Sequence, residues 1–229
     1  MTGTGSTTSH RLPAWLERGL LIVLGVAFFL GGYFLLGHLT QDRAHPFPFE
    51  LPLERHLPFY PPAVFAYLLA LVLPDFALFG WPLADRVGMR RQALAYALLQ
   101  TLSFVIYAAY PVHADLRPTT IAEPATLSSR VLATYYALDP PVNLFPSLHC
   151  GHAVLAALLA RKLDRRLGWL VGILALAVLV SVLLVKQHYV ADVLAGLGLA
   201  WLVDRLVGPV PVRRDAATPQ PIERSARVR

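Results

Sequence analysis

The stretch from Gly19 to Leu39 runs for 21 residues without an Asp, Glu, Lys or Arg. A helix needs about 20 mostly apolar residues to cross the roughly 30 Å of a bilayer's hydrocarbon. Inside that hydrocarbon every backbone N–H and C=O must be paired within the protein, which leaves helices or a closed barrel. The run is continuous rather than alternating, so it predicts a helix. Three more stretches of the same kind follow: Pro62 to Gly80 with Asp75 as its one charge, Gln92 to Tyr110, and Leu167 to Val185. Ser147 to Ala160 and His188 to about Val203 are shorter and open with polar residues. They complete a count of six if their first turns pack against protein rather than lipid.

The expected fold class is all-α: a polytopic membrane protein with six transmembrane helices in a single bundle. Residues 12–210 form that domain. Residues 1–11, rich in Gly, Ser and Thr, and residues 211–229, rich in Pro, Ala and Arg, are expected to be flexible tails. The first apolar run exceeds the 7–15 residues of a signal-peptide core and no small-x-small site follows it, so it is expected to remain a span. Asp75 follows Pro74 near the inner end of the second span, where a kink or helix-interface role fits better than catalysis. The Pro- and Phe-rich segment His45 to Pro62 reads as a stiff interfacial loop, either covering a site or simply anchored among the headgroups.

Composition agrees. Hydrophobic residues make up 56% of the chain and charged ones 15%, with a mean hydropathy of +0.54; soluble domains carry about 25% charged residues. The single Cys150 excludes an intramolecular disulfide and a cysteine-based zinc cluster. The net charge of +6 suggests nucleic acid until the cations are placed on the spans. Fifteen of the 20 Lys and Arg residues then fall on one side, and five, Arg43, Arg55, Arg117, Arg130 and Lys186, on the other. That asymmetry marks the cytoplasmic side, puts both termini there, and accounts for the basic balance without a nucleic-acid partner.

With this topology the segment from Pro111 to Pro146 and the starts of spans four and six share the outer face, and the suspicious polar residues collect there. His188 and Asp192 are four apart, so on a helix they share a face. A carboxylate on one imidazole nitrogen fixes the tautomer and sharpens the other as base or nucleophile, although a structural pair sealing a helix end has the same spacing. Pro146 and Ser147 suit a helix start, which is a ready anion site. His149 lies in that first turn and His152 one turn on. Two His at this spacing also raise a metal site, but no third ligand follows at metal spacing. Arg117 before Pro118 offers a guanidinium clamp for phosphate. Cation, helix start, two His and a carboxylate together suit phosphoryl transfer through a phosphohistidine.

These residues resemble the type 2 phosphatidic acid phosphatase superfamily, membrane lipid phosphatases and phosphotransferases related to vanadium haloperoxidases. The pattern there is K-x6-R-P, P-S-G-H and S-R-x5-H-x3-D. Arg117-Pro118 resembles the end of the first motif. Pro146-Ser147-Leu148-His149 matches the second with Leu148 for Gly, and Ser181 to Asp192 matches the third. The resemblance covers about residues 110–201. It implies that His188 attacks phosphorus, Asp192 orients it, His149 protonates the leaving oxygen, Ser147 and Arg117 hold phosphate oxygens, and no metal or other cofactor is needed. Tyr110 stands at the position of the motif Lys and Val182 at that of the motif Arg. Lys186, four residues after Val182, is the expected substitute for that Arg. His152 and Tyr110 remain possible site residues.

The run Pro-Ser-Leu-His followed by Cys-Gly-His is more similar to the inositol phosphorylceramide synthase and sphingomyelin synthase branch. Because water is always available as acceptor, the superfamily resemblance still implies first a metal-independent lipid phosphatase acting on a lipid phosphate or pyrophosphate at the outer face. Its alternative is a head-group phosphotransferase, and a non-catalytic lipid transporter or scaffold of the same fold is a further one. The expected partners are a lipid phosphate and the surrounding membrane lipids, in a bacterial inner (plasma) membrane; oligomeric state is left open.

Overall fold

The computed structural model describes residues 12–79, 85–118, 121 and 126–211. The expected tails, apart from residue 211, therefore lie outside the described residues, as does the side chain of Asp75. The chain is mostly helical. In order it forms α1 (Ala14–Thr40), a two-residue strand β1 (His45–Pro46), α2 (Pro52–His56), α3 (Val64–Tyr67), α4 (Leu69–Phe79), α5 (Arg86–Ala109), β2 (Val112–His113), α6 (Leu127–Leu138), α7 (Leu148–Leu163), α8 (Arg165–Leu184) and α9 (Val190–Val207). The strands pair in parallel, His45 with Val112 and Pro46 with His113.

Among the described residues three helical segments are long and apolar enough to cross a membrane: Ala14–Arg43, Arg86–Ala109 and Arg165–Leu184. The other three expected spans look different. The stretch from Pro62 is broken into a 3₁₀ turn at Pro61–Ala63, α3 and α4, with a step at Leu68 where Leu71 N–H bonds Leu68 C=O. Helix α7 has only 16 residues, and α9 carries Asp192, Asp204 and Arg205. Helix α7 needs no full apolar surface of its own, because it packs against α4, α5, α8 and α9. Helix α9, in contrast, packs against α5 and α7 and leaves Leu194, Leu197, Trp201, Leu202 and Leu206 exposed.

Helix α7 is the centre of the packing. Pro146 through Ala153 are all buried, and α7 contacts α4, α5, α8 and α9. Its small face, Cys150, Ala153, Ala156 and Ala160, packs against Val171, Ala175, Val178 and Val182 of α8. Its larger face, Leu148, Leu155 and Leu159, meets Ala95 and Leu99 of α5 and Ala200 and Val203 of α9. Small residues let helix backbones approach where burial from water does not drive association. Asp164 both ends α7 and caps α8, its Oδ1 accepting from Leu167 N–H at 2.8 Å, so a single residue turns the chain back. The outward stripe of α8, Trp169, Ile173, Leu176 and Val180, stays exposed, as do Val23, Leu24, Leu35 and Leu39 of α1. Apolar faces of this extent are those a bilayer covers.

Candidate active site

The N-terminal ends of α7 and α9 are pressed together. Ser147 caps α7, its Oγ accepting from Cys150 N–H at 3.3 Å, and its own N–H donates to Asp192 C=O at 3.0 Å. One turn along α9, a Cβ on Gly196 would lie 2.3 Å from Ser147 O. Only glycine allows the two backbones this close. That approach brings the first turn of α7, with His149, against the start of α9.

His188 precedes α9 rather than lying on it. Helix α8 ends after Leu184 in a turn in which Gln187 N–H bonds Val182 C=O at 2.9 Å and Lys186 N–H bonds Leu183 C=O at 3.2 Å. This is the Schellman closure, with Lys186 in the left-handed region at φ 54° where glycine is usual. The shared helical face expected for His188 and Asp192 is thus replaced by a turn that folds back onto the first turn of α9. The pairing still forms: His188 Nδ1 lies 2.9 Å from Asp192 Oδ2. His188 Nε2 in turn lies 3.1 Å from His149 Nδ1. Asp192, His188 and His149 are 0%, 4% and 6% exposed, so this line of three side chains is internal.

The same turn places Lys186 away from the position expected for it. With α8 finished, it is not stacked over Val182. Its ammonium instead donates to the carbonyls of Glu54 at 2.9 Å and Leu57 at 2.7 Å, tying α2 to the α8–α9 turn. Burial lowers its pKa, with the Glu54 charge acting against that. Arg117 lies nearer: its guanidinium donates to Gln187 Oε1 at 2.7 Å and Tyr136 C=O at 3.3 Å and stacks on the Tyr136 ring at 4.5 Å. Its Nε has no hydrogen-bond partner among the described residues. His152 points elsewhere, to Gln100 Nε2 at 3.4 Å and the rings of Phe29 and Tyr96. Tyr110 is exposed at the end of α5 and joins none of these groups.

Several residues here carry no sequence motif. Tyr67 Oη and Tyr135 Oη each lie 3.1 Å from His149 Nε2. Asp139 accepts from Gln187 Nε2 at 2.6 Å, Tyr33 Oη at 2.7 Å and Tyr67 Oη at 3.4 Å. Burial pushes the Asp139 carboxyl up from its ordinary value, while the Tyr33 hydrogen bond and the Arg117 charge pull it down. Glu54, 1% exposed, accepts from the N–H groups of Leu51 and Val190, placing a carboxylate at the start of α9. The available signals were weak: Gln187 adjoins His188, and a buried tyrosine hydroxyl needs a partner. No spacing joins residues 33, 67, 135, 139 and 149.

A cavity of about 520 Å³ reaches this cluster from between α1, α4 and α6, with Tyr135, Asp139 and His149 at one end and Phe29, Leu30, Phe34, Leu71 and Leu138 among its walls. A second, of about 250 Å³, shares Phe29, Leu30, Leu71 and His149 and continues past Gln100 and His152. Among the described residues no three His, Cys, Asp or Glu side chains form a metal-ligand set.

Comparison with curated proteins and with solved structures returns no match. The family model described as the PAP2 superfamily matches residues 41–205, which contain α2 through most of α9 and every residue of the buried histidine cluster except Tyr33 of α1. Its members act on phosphate esters as phosphatases or phosphotransferases, and the chain belongs to the PAP2 superfamily.

Proposed function

We propose that the chain is an integral membrane enzyme that transfers phosphoryl groups from a lipid phosphate ester through a phosphohistidine at His188. The observation that carries this reading is the aligned set Asp192 Oδ2, His188 Nδ1 and Nε2, and His149 Nδ1, with spacings of 2.9 and 3.1 Å. A carboxylate on Nδ1 leaves the Nε2 lone pair free to attack phosphorus. As the Nε2–P bond forms, the bond from phosphorus to the lipid oxygen breaks, and that oxygen takes a proton from His149. Water then attacks phosphorus and gives a proton to His149, the N–P bond breaks, and phosphate leaves. At rest the two imidazoles touch, so the phosphoryl group enters by parting them. Ser147 and Arg117 are the groups within the cluster that hold phosphate oxygens, and no metal takes part.

The lipid assignment is supported by the apolar cavity that ends at His149. The six-span arrangement, with both termini cytoplasmic, the site on the outer side and a bacterial inner membrane as its location, is supported by the distribution of Lys and Arg. Transfer of a head group to a lipid alcohol, as in the inositol phosphorylceramide synthase branch, is the second reading. It is favoured by the cation count: Val182 is buried and uncharged, Tyr110 is uncharged, and Lys186 is held by backbone carbonyls. A phosphodiester carries one negative charge where a phosphomonoester carries nearly two, so a site with few cations suits the diester better.

The test uses purified wild type and His188→Ala in mixed micelles with EDTA, offered lipid phosphomonoesters, pyrophosphates and phosphodiesters, with and without lipid alcohols. Mass spectrometry reads the products. Phosphate release lost in His188→Ala establishes hydrolysis, and a new phosphodiester formed only with an alcohol establishes transfer. Activity surviving in His188→Ala overturns the nucleophile, and dependence on added metal overturns the metal-free chemistry.

A further inference from the structure

In the reaction proposed above His149 changes protonation twice per turnover while almost fully buried. A buried acid–base group needs partners that fit it in each state, since an unmatched polar atom in that setting is costly. The resting hydrogen bonds have one consistent polarity. Asp192 accepts, so His188 carries its proton on Nδ1 and presents a lone pair at Nε2. His149 Nδ1–H therefore donates to it, and His149 Nε2 is the acceptor. Facing that nitrogen are the two hydroxyls of Tyr67 and Tyr135, 3.0 Å from one another, which reach it from α3 and α6. A hydroxyl both donates and accepts, unlike a carboxylate or an ammonium. Behind Tyr67 lies Asp139, itself held by Tyr33 and Gln187.

We propose, resting on the phosphoryl-transfer reading, that Tyr67, Tyr135 and Asp139 are positioning residues for the acid–base step, a tyrosine-linked counterpart of the direct Asp192–His188 pair. At rest a tyrosine hydroxyl donates to His149 Nε2. When the anionic substrate is seated, His149 takes up one proton from water on Nε2 and becomes cationic. Nε2–H then donates to a tyrosine oxygen, Tyr67 O–H donates a hydrogen bond to Asp139, and the added proton returns to water when the product has left. His149 then gives its Nδ1 proton to the leaving lipid oxygen and keeps the one on Nε2. The attacking water or alcohol returns a proton to Nδ1. The tyrosines thus keep Nε2 satisfied throughout, and only the nitrogen facing His188 exchanges protons with the reacting groups.

Leaving-group dependence tests this. A lipid alkoxide leaves only with a proton, whereas a nitrophenolate leaves without one. Asp139→Asn and the double variant Tyr67→Phe/Tyr135→Phe are each expected to lose about 100-fold in kcat on the lipid ester, with KM little changed. On a nitrophenyl phosphate ester the burst of nitrophenolate released before water attacks needs no acid, and its rate in both variants is expected to stay within about threefold of wild type. Equal losses on the two substrates, or none, overturn the proposal. ¹⁵N-histidine NMR of the full chain in detergent, with the His149 signal assigned from His149→Asn, needs no turnover. It is expected to show a resting His149 protonated on Nδ1 and an Nε2 resonance that moves in the double Phe variant. An Nε2-protonated resting His149, or an unmoved resonance, overturns the proposal too. Loss of all His188-dependent chemistry in the wild type instead strikes the phosphoryl-transfer reading, while His188-dependent activity indifferent to Asp139→Asn strikes this inference alone.

Discussion

His149 Nδ1 and His188 Nε2 meet at 3.1 Å although the residues are 39 apart and belong to different segments, one on α7 and one in the turn before α9. The contact makes the nitrogen proposed as nucleophile the acceptor of its neighbour's hydrogen bond. Its value depends on which nitrogen of His188 is protonated, and Asp192 sets that.

Asp192→Asn is therefore expected to lower kcat by about 10²–10⁴-fold. An amide that presents its NH₂ to His188 turns the ring's proton onto Nε2, and the lone pair needed for attack is lost. KM should hardly move. Steady-state kinetics on the lipid ester checks the split; an Asn variant within tenfold of wild type contradicts the orienting role.

Gly196→Ala is expected to destabilise by about 1–3 kcal/mol, as overpacking does, because its new methyl group meets Ser147 O at 2.3 Å. Activity should fall further than stability, since the displaced element carries His149. Gly172→Ala is the control: nothing lies within 4 Å of its Cβ, and alanine there should stabilise helix α8 by about 0.5–1 kcal/mol. Chemical denaturation in detergent, run beside the activity assay, separates the two effects.

Lys186 combines an unfavourable backbone with a useful ammonium. Lys186→Ala removes the ties to Glu54 and Leu57 and keeps φ at 54°, whereas Lys186→Gly removes the ties and relaxes the backbone. The alanine variant should be the less stable of the two by about 1 kcal/mol. Equal stabilities would mean that the turn is not held in the left-handed region.

Burial raises the Asp139 carboxyl, so the folded chain binds this proton at a pH where the unfolded chain has already released it. The group's contribution to stability accordingly falls as pH rises from the ordinary carboxylate range through its raised value. Asp139→Asn should remove that slope. Melting temperatures of wild type and variant across mildly acidic pH give the comparison, and parallel curves would contradict it.

Much of the fold was legible because uncharged runs such as Gly19 to Leu39 and Leu167 to Val185 have few structural options. Asp192, His188 and His149 were legible because their spacings and the placement of both segments on one face pointed to a common site. The turn at Lys186 was not: a lysine in the left-handed region leaves no local signature, and assuming a continuous helix gave it the wrong neighbour. Tyr33, Tyr67, Tyr135 and Asp139 were hidden for another reason. Their meeting depends on how α1, α3 and α6 pack, and packing of this kind has no period along the chain.

Glu54 and Lys186 lace two distant segments together in both directions. The Glu54 carboxylate takes the Val190 N–H, while Lys186 takes the carbonyls of Glu54 and Leu57. Residues 51–57 and 183–190 therefore behave as one exchangeable module. A chimera that imports either piece from a relative without the other leaves a buried carboxylate or an ammonium without its match, beside the turn that carries His188. Grafting both together preserves the seam, and swaps of either segment succeed or fail on that pairing rather than on segment length.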